Sequence, residues 1–202
     1  MVEQDLIGAY FESNGFLVRQ ATIATLATTK KNLNPLPVFA VMNPRATSND
    51  LALNTRLYSA DLAKIRFASV AILGWGNSSF SPASLSSDAQ LIKFFKQEID
   101  GARIKECFST KSEWSDAGIG DSLRILVVPA LPSSTERLTK LYQMFEGLEV
   151  DGVLTLRSIL ENLLRQSQPA KSYEGREILQ LLRLVKAYGL SKDPQLEIFQ
   201  ED

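Results

Sequence analysis

Apolar positions recur along this chain with two periods, and the switches between them mark its elements. Leu6, Ile7, Tyr10 and Phe11 fall at i, i+1, i+4 and i+5. That spacing is one face of a helix expected over residues 5–13, stopped by Asn14-Gly15. Residues 16–28 carry the β-branched Val18, Thr22, Ile23, Thr25 and Thr28 and predict a strand or two. Residues 30–35 read as a turn, residues 37–42 as a near-continuous apolar strand, and residues 51–57 as another. The link between the first two strands is too short for a crossover helix, so they are expected to pair antiparallel.

The pattern then alternates. Ser59 can cap a short helix over residues 60–67, and residues 68–75 are apolar on both alternations, as in a buried central strand. A Ser-rich loop fills residues 77–87. Ser87 with Gln90 matches a capping box opening a helix to about Glu98. Glu98, Asp100 and Lys105 are expected on that helix end and a following turn. Residues 123–130 form a second buried-type strand. Ser133 with Glu136 caps a helix whose face is Leu138, Leu141, Tyr142 and Phe145, ended by Gly147. Thr155 opens a helix with Leu156, Ile159, Leu160 and Leu163 on one side. Residues 172–188 form a longer one whose face is Ile178, Leu181, Leu182, Val185 and Tyr188. Two such helices joined by a short link make a helical hairpin.

These elements predict an α/β fold: a mixed central sheet that opens with a helix and an antiparallel hairpin, is flanked by helices, and ends in a C-terminal helical hairpin. The expected organisation is a core over residues 1–150, the hairpin over 151–190 packed on it, and a polar tail over 191–202.

Composition narrows the chemistry more than the fold. The chain has 202 residues, 45% of them apolar and 22% charged, which suits one packed domain. Its net charge of −1 supplies no global attraction to nucleic acid or anionic membrane. No apolar run reaches the roughly 20 residues that span a bilayer, and the acidic start, Met1 to Asp5, does not read as a signal peptide. The absence of histidine excludes His-based triads and His zinc ligands. One cysteine, Cys107, allows neither an intramolecular disulfide nor a thiolate metal site. A reducing cytoplasm is the expected setting.

One stretch stands apart: no acidic residue occurs between Glu12 and Asp50. The order of helix, antiparallel strands, third strand, helix and buried strand resembles the restriction-endonuclease-like fold of the PD-(D/E)xK nuclease superfamily, over roughly residues 1–75 and more loosely to about 130. The resemblance implies a glutamate on the first helix, an aspartate near the start of one strand and an acid-x-Lys on the next. Such carboxylates hold Mg²⁺, which lowers the pKa of bound water and offsets phosphorane charge. On this chain Glu12 matches the helix glutamate. The aspartate position falls near Leu36 or Pro37, where no acid stands. The acid-x-Lys position falls on Asn54-Thr55-Arg56, and an arginine does not deprotonate. Glu12, Asn54 and Arg56 are thus the candidate remnants of a degenerate site, with no metal and no cofactor implied.

Other residues suggest binding. Lys30, Lys31, Arg45, Arg56, Lys64 and Arg66 lie in the acid-poor half and could form a patch for weak nucleic-acid contact. Gly74-Trp75-Gly76-Asn77 follows the strongest strand, where open α/β sheets tend to place sites. The serines after it lack an activating base. The leading expectation is a catalytically inactive nuclease-fold protein acting as a binding or structural module. Two alternatives stay open: an enzyme with a small-molecule site at the Trp75–Ser87 loop, and a homodimer or other homo-oligomer associating through the C-terminal helices.

Overall fold

The computed structural model describes residues 2–21, 36–49, 56–109 and 122–191. The chain runs α1 (Val2–Ser13), β1 (Leu17–Ala21), β2 (Val38–Met42), β3 (Phe67–Ile72), α2 (Asp88–Glu98), α3 (Gly101–Ser109), β4 (Leu123–Val128), α4 (Thr135–Glu146), β5 (Gly152–Thr155), α5 (Leu156–Gln166) and α6 (Glu177–Ala187). Among the described residues five strands lie side by side in sequence order. β1, β2 and β3 pair antiparallel, and β3, β4 and β5 pair parallel. The change of sense follows the connections: each parallel step has a helical crossover, which parallel neighbours require. This is the mixed α/β sheet expected. Among the described residues no helix is long and apolar enough to cross a membrane.

Alternation along the strands splits the core into two layers. Phe39, Val41, Val70, Ile72, Ile125 and Val127 meet α1, α5 and α6 on one face. Val38, Ala71, Leu126 and Val128 meet α2, α3 and α4 on the other. β3 and β4 are therefore apolar at successive positions apart from Ser69 and Arg124, as expected of strands covered on both faces. α1 buries Ile7, Tyr10 and Phe11 and stops where predicted. Gly15 takes a φ of +88°, Phe16 N–H donates to the Phe11 carbonyl at 3.0 Å, and the Phe11 and Phe16 rings meet edge-on. Such a stop uses a left-handed residue and an apolar clasp across it.

The structure differs from expectation at several elements. The third strand of the described sheet is Phe67–Ile72, and the strand expected over residues 51–57 falls mostly outside the described residues. Of that segment residues 51–55 lie outside the described residues, while Arg56 bridges Val153 in parallel and the Leu57 N–H donates to the Val153 carbonyl at 2.9 Å. Gly152 makes room for this packing: a Cβ there would stand 2.5 Å from Leu57 Cδ1. β5 was not anticipated, and it carries the sheet past the expected boundary at residue 150. The helix expected over residues 60–67 is a 3-10 turn, Ser59–Lys64, because Phe67 already belongs to β3. Lys105 lies on α3, which the expected turn did not anticipate. The C-terminal hairpin is present, but its second helix starts at Glu177 and buries Leu179 and Leu182, leaving Leu181 and Tyr188 exposed.

Candidate functional site

α1 runs across the sheet, so its two ends serve different places. Glu3 lies at the carboxyl end of β3 and Glu12 near the opposite end, nine residues or about 13 Å away. The solvent side of α1 walls a groove of about 490 Å³. Asp5 and Glu12 stand on that wall, Val18, Gln20 and Phe39 lie in strands β1 and β2 beneath it, and Arg176 and Glu177 line the far side. Glu12 is exposed and faces this groove. No group of three or more His, Cys, Asp or Glu able to hold a metal occurs among the described residues.

The expected aspartate positions, Leu36 and Pro37, do not stand beside Glu12. Leu36 is fully buried in the opposite layer. The Pro37 carbonyl accepts from the Ile72 N–H at 2.9 Å. Neither β2 (Val-Phe-Ala-Val-Met) nor β3 (Phe-Ala-Ser-Val-Ala-Ile) contains a carboxylate. Arg56 is remote from Glu12's groove: it sits beside β5 with its guanidinium 5.0 Å from the Tyr58 ring centroid. Its Nε is buried without a hydrogen-bond partner. Asn54, Lys30 and Lys31 lie outside the described residues.

Among the described candidate cations, Arg56 stands apart from Arg45, Lys64 and Arg66. Arg45 is in the turn after β2, with its guanidinium beside Gly15 at the C-terminal end of α1, where the helix dipole favours positive charge. Arg66 Nη1 donates to the Thr47 carbonyl at 2.5 Å, tying the other end of that turn. Lys64 lies 3.9 Å from Asp61. Arg56 belongs to the other edge of the sheet.

The loop after β3 is built from interactions that local sequence does not reveal. Glu3 accepts from the Trp75 N–H at 2.6 Å and the Gly76 N–H at 3.0 Å, so a helix carboxylate occupies this pair of backbone donors. A Cβ on Gly74 would meet that carboxylate at 2.6 Å. Asn77 works as a bracket: its Oδ1 accepts from the Gly74 N–H and its Nδ2 donates to the Ile72 carbonyl. Trp75 is exposed on one side and packs edge-on against Phe80, which continues to Phe94. Beneath them Arg103 donates to Glu98 Oε2 and to the Asn77 carbonyl, each at 3.2 Å, while Glu98 Oε1 accepts from the Ser79 N–H. Sequence reasoning missed Glu3, Arg103 and the buried role of Glu98, because their partners stand 72, 26 and 19 residues away. No protein-family model, curated protein or solved structure matches this chain.

Proposed function

We propose that this chain is a restriction-endonuclease-like protein whose metal site has been lost and which acts as a binding or structural module. One observation carries the reading: Glu12 faces a groove, and the two strands next in the sheet offer it no second carboxylate. The floor of the groove, formed by Val18, Gln20 and Phe39, carries no carboxylate for Mg²⁺. The element order also supports it, with a helix, an antiparallel β1–β2–β3 meander, helices, and β4 parallel to β3.

Supercoiled plasmid incubated with the purified protein and Mg²⁺ or Mn²⁺ is expected to remain intact. Mg²⁺ is likewise expected to leave Tm unmoved, since an ion that binds the folded state raises it. Metal-dependent cutting that Glu12→Ala abolishes would overturn the proposal.

A second reading, self-association through α6, is favoured by Leu181, Leu184 and Tyr188. They lie exposed at i, i+3 and i+7. Light scattering should then find a dimer that Leu184→Glu converts to monomer. Monomer at every concentration removes this reading.

A further inference from the structure

A second concavity lies on the sheet face opposite Glu12, between α2 and α4. The Asp88 carboxylate accepts from the Ser133 and Ser134 N–H groups and so holds the two helix starts together. Near their ends the Phe95 and Phe145 rings meet edge-on at 5.9 Å. Helices tied at both ends in this way run side by side in the same direction.

The groove between them has a volume of about 360 Å³. Ile92 and Phe95 from α2, with Leu141 and Met144 from α4, make it apolar. Phe95 and Leu141 are already buried, whereas Ile92 and Met144 are only half covered. The lining charge is of one sign: Lys96, Arg137 and Lys140 border the groove, and no carboxylate does. Lys140 holds a surface pair with Glu136 at 2.6 Å, an interaction of little strength in water. Lys96 makes no ion pair among the described residues, and Arg137 makes none within 4.0 Å, though the Asp88 and Glu136 carboxylates lie within its electrostatic reach.

We propose that this groove receives an amphipathic α-helix of a partner protein, one whose apolar stripe is flanked by Asp and Glu. The stretch from Ala89 to Lys96 spans two helical turns, about 10 Å, which matches a docked helix anchored at i, i+3 or i+4, and i+7. Arg137 stands near the start of the groove, Lys140 midway and Lys96 at its end, so the positive charge runs along its length. A partner with acids spaced along a helix matches all three, whereas a single-headed amphiphile matches one. The proposal is independent of the lost-metal-site reading, whose test is DNA cleavage.

The full chain can be screened against two libraries of helical peptides about four turns long. Both display the same randomised apolar stripe, one flanked by Glu and the other by Lys. Glu-flanked binders are expected, and their addition should shift amide resonances on α2 and α4. Lys96→Glu combined with Arg137→Glu should weaken them about ten-fold, with Tm and circular dichroism unchanged. Met144→Trp, which fills the groove without altering charge, should weaken them too. Equal recovery of Lys-flanked peptides, shifts that map elsewhere, or indifference to the charge reversal would each overturn the proposal. So would dodecanoate shifting these amides when no peptide does, or a dimer of the chain that Met144→Trp breaks.

Discussion

Arg103 is the largest fully buried side chain among the described residues, at 1% exposed. Its charge is met by Glu98, also buried, and by two backbone carbonyls, those of Asn77 and Glu98. A buried pair of this kind is weak evidence of net stability, but breaking it on one side leaves an unmatched charge in the core. Glu98→Gln should therefore cost about 3–5 kcal/mol, read from urea unfolding. The double variant Glu98→Leu/Arg103→Met should recover most of that loss. A single variant as stable as the parent would remove the pair from the account of this loop. In the sequence Glu98 was visible only as one member of an acid pair near a lysine. The structure separates them: Glu98 ends α2 and turns inward, while Asp100 Oδ1 accepts from the Ala102 N–H at the start of α3. Residue types at short spacing did not tell which carboxylate would be buried, because that depends on Asn77 and Ser79 arriving from another element.

At the scale of elements, α4 shows how a correct boundary can have a different cause. The Ser133–Glu136 pattern predicts the helix start, and the helix does begin at Thr135. Its N-cap residue, Ser134, makes no side-chain capping bond; Asp88 from the start of α2 supplies the acceptors instead. The N–H groups of Ser133 and Ser134 hold the Asp88 carboxyl below its ordinary value of 3.8. A depressed folded pKa contributes stability above the unfolded value and loses it as pH falls through the folded one. Asp88→Asn should thus lower Tm at neutral pH, and the gap from the parent should close in acid below pH 3.8. A gap that persists unchanged there would mean the carboxylate charge is not the cause. Ser87 and Thr155 do act as the sequence predicts, accepting from Gln90 and Ser158 N–H groups. The misses were short elements: β5 has four residues and begins at glycine, too little for a period to register, and α3 was read as part of a turn.

Across the whole molecule, the helices of one layer join distant parts of the chain. Asn14 Nδ2 donates to Asn162 Oδ1 at 3.2 Å, and Gln166 Nε2 donates to Asn14 Oδ1 and Asn162 Oδ1, linking α1's end to α5. In the other layer Cys107 is 2% exposed, and burial pushes its thiol up to about 11 from an ordinary 9.0. A thiol reagent at pH 8 should label it only as fast as the core opens, and denaturant should speed labelling sharply. The raised folded pKa favours the neutral thiol, so its contribution to stability is lost as pH rises from 9 to 11. Labelling of the native protein at the rate of a small thiol would contradict this burial. Sequence alone determined the α/β class, the buried character of β3 and β4, the closure of α1 and the lack of histidine or paired cysteine chemistry. Those follow from periods and residue types, which act within a few residues. Only tertiary structure decided that residues 67–72 stand beside β2, that Glu12 faces Phe39 and Gln20 across a groove, and that Glu3 occupies the donors at Trp75 and Gly76. Strand neighbours and side-chain partners are set by packing between segments tens of residues apart, and local patterning carries no record of that choice.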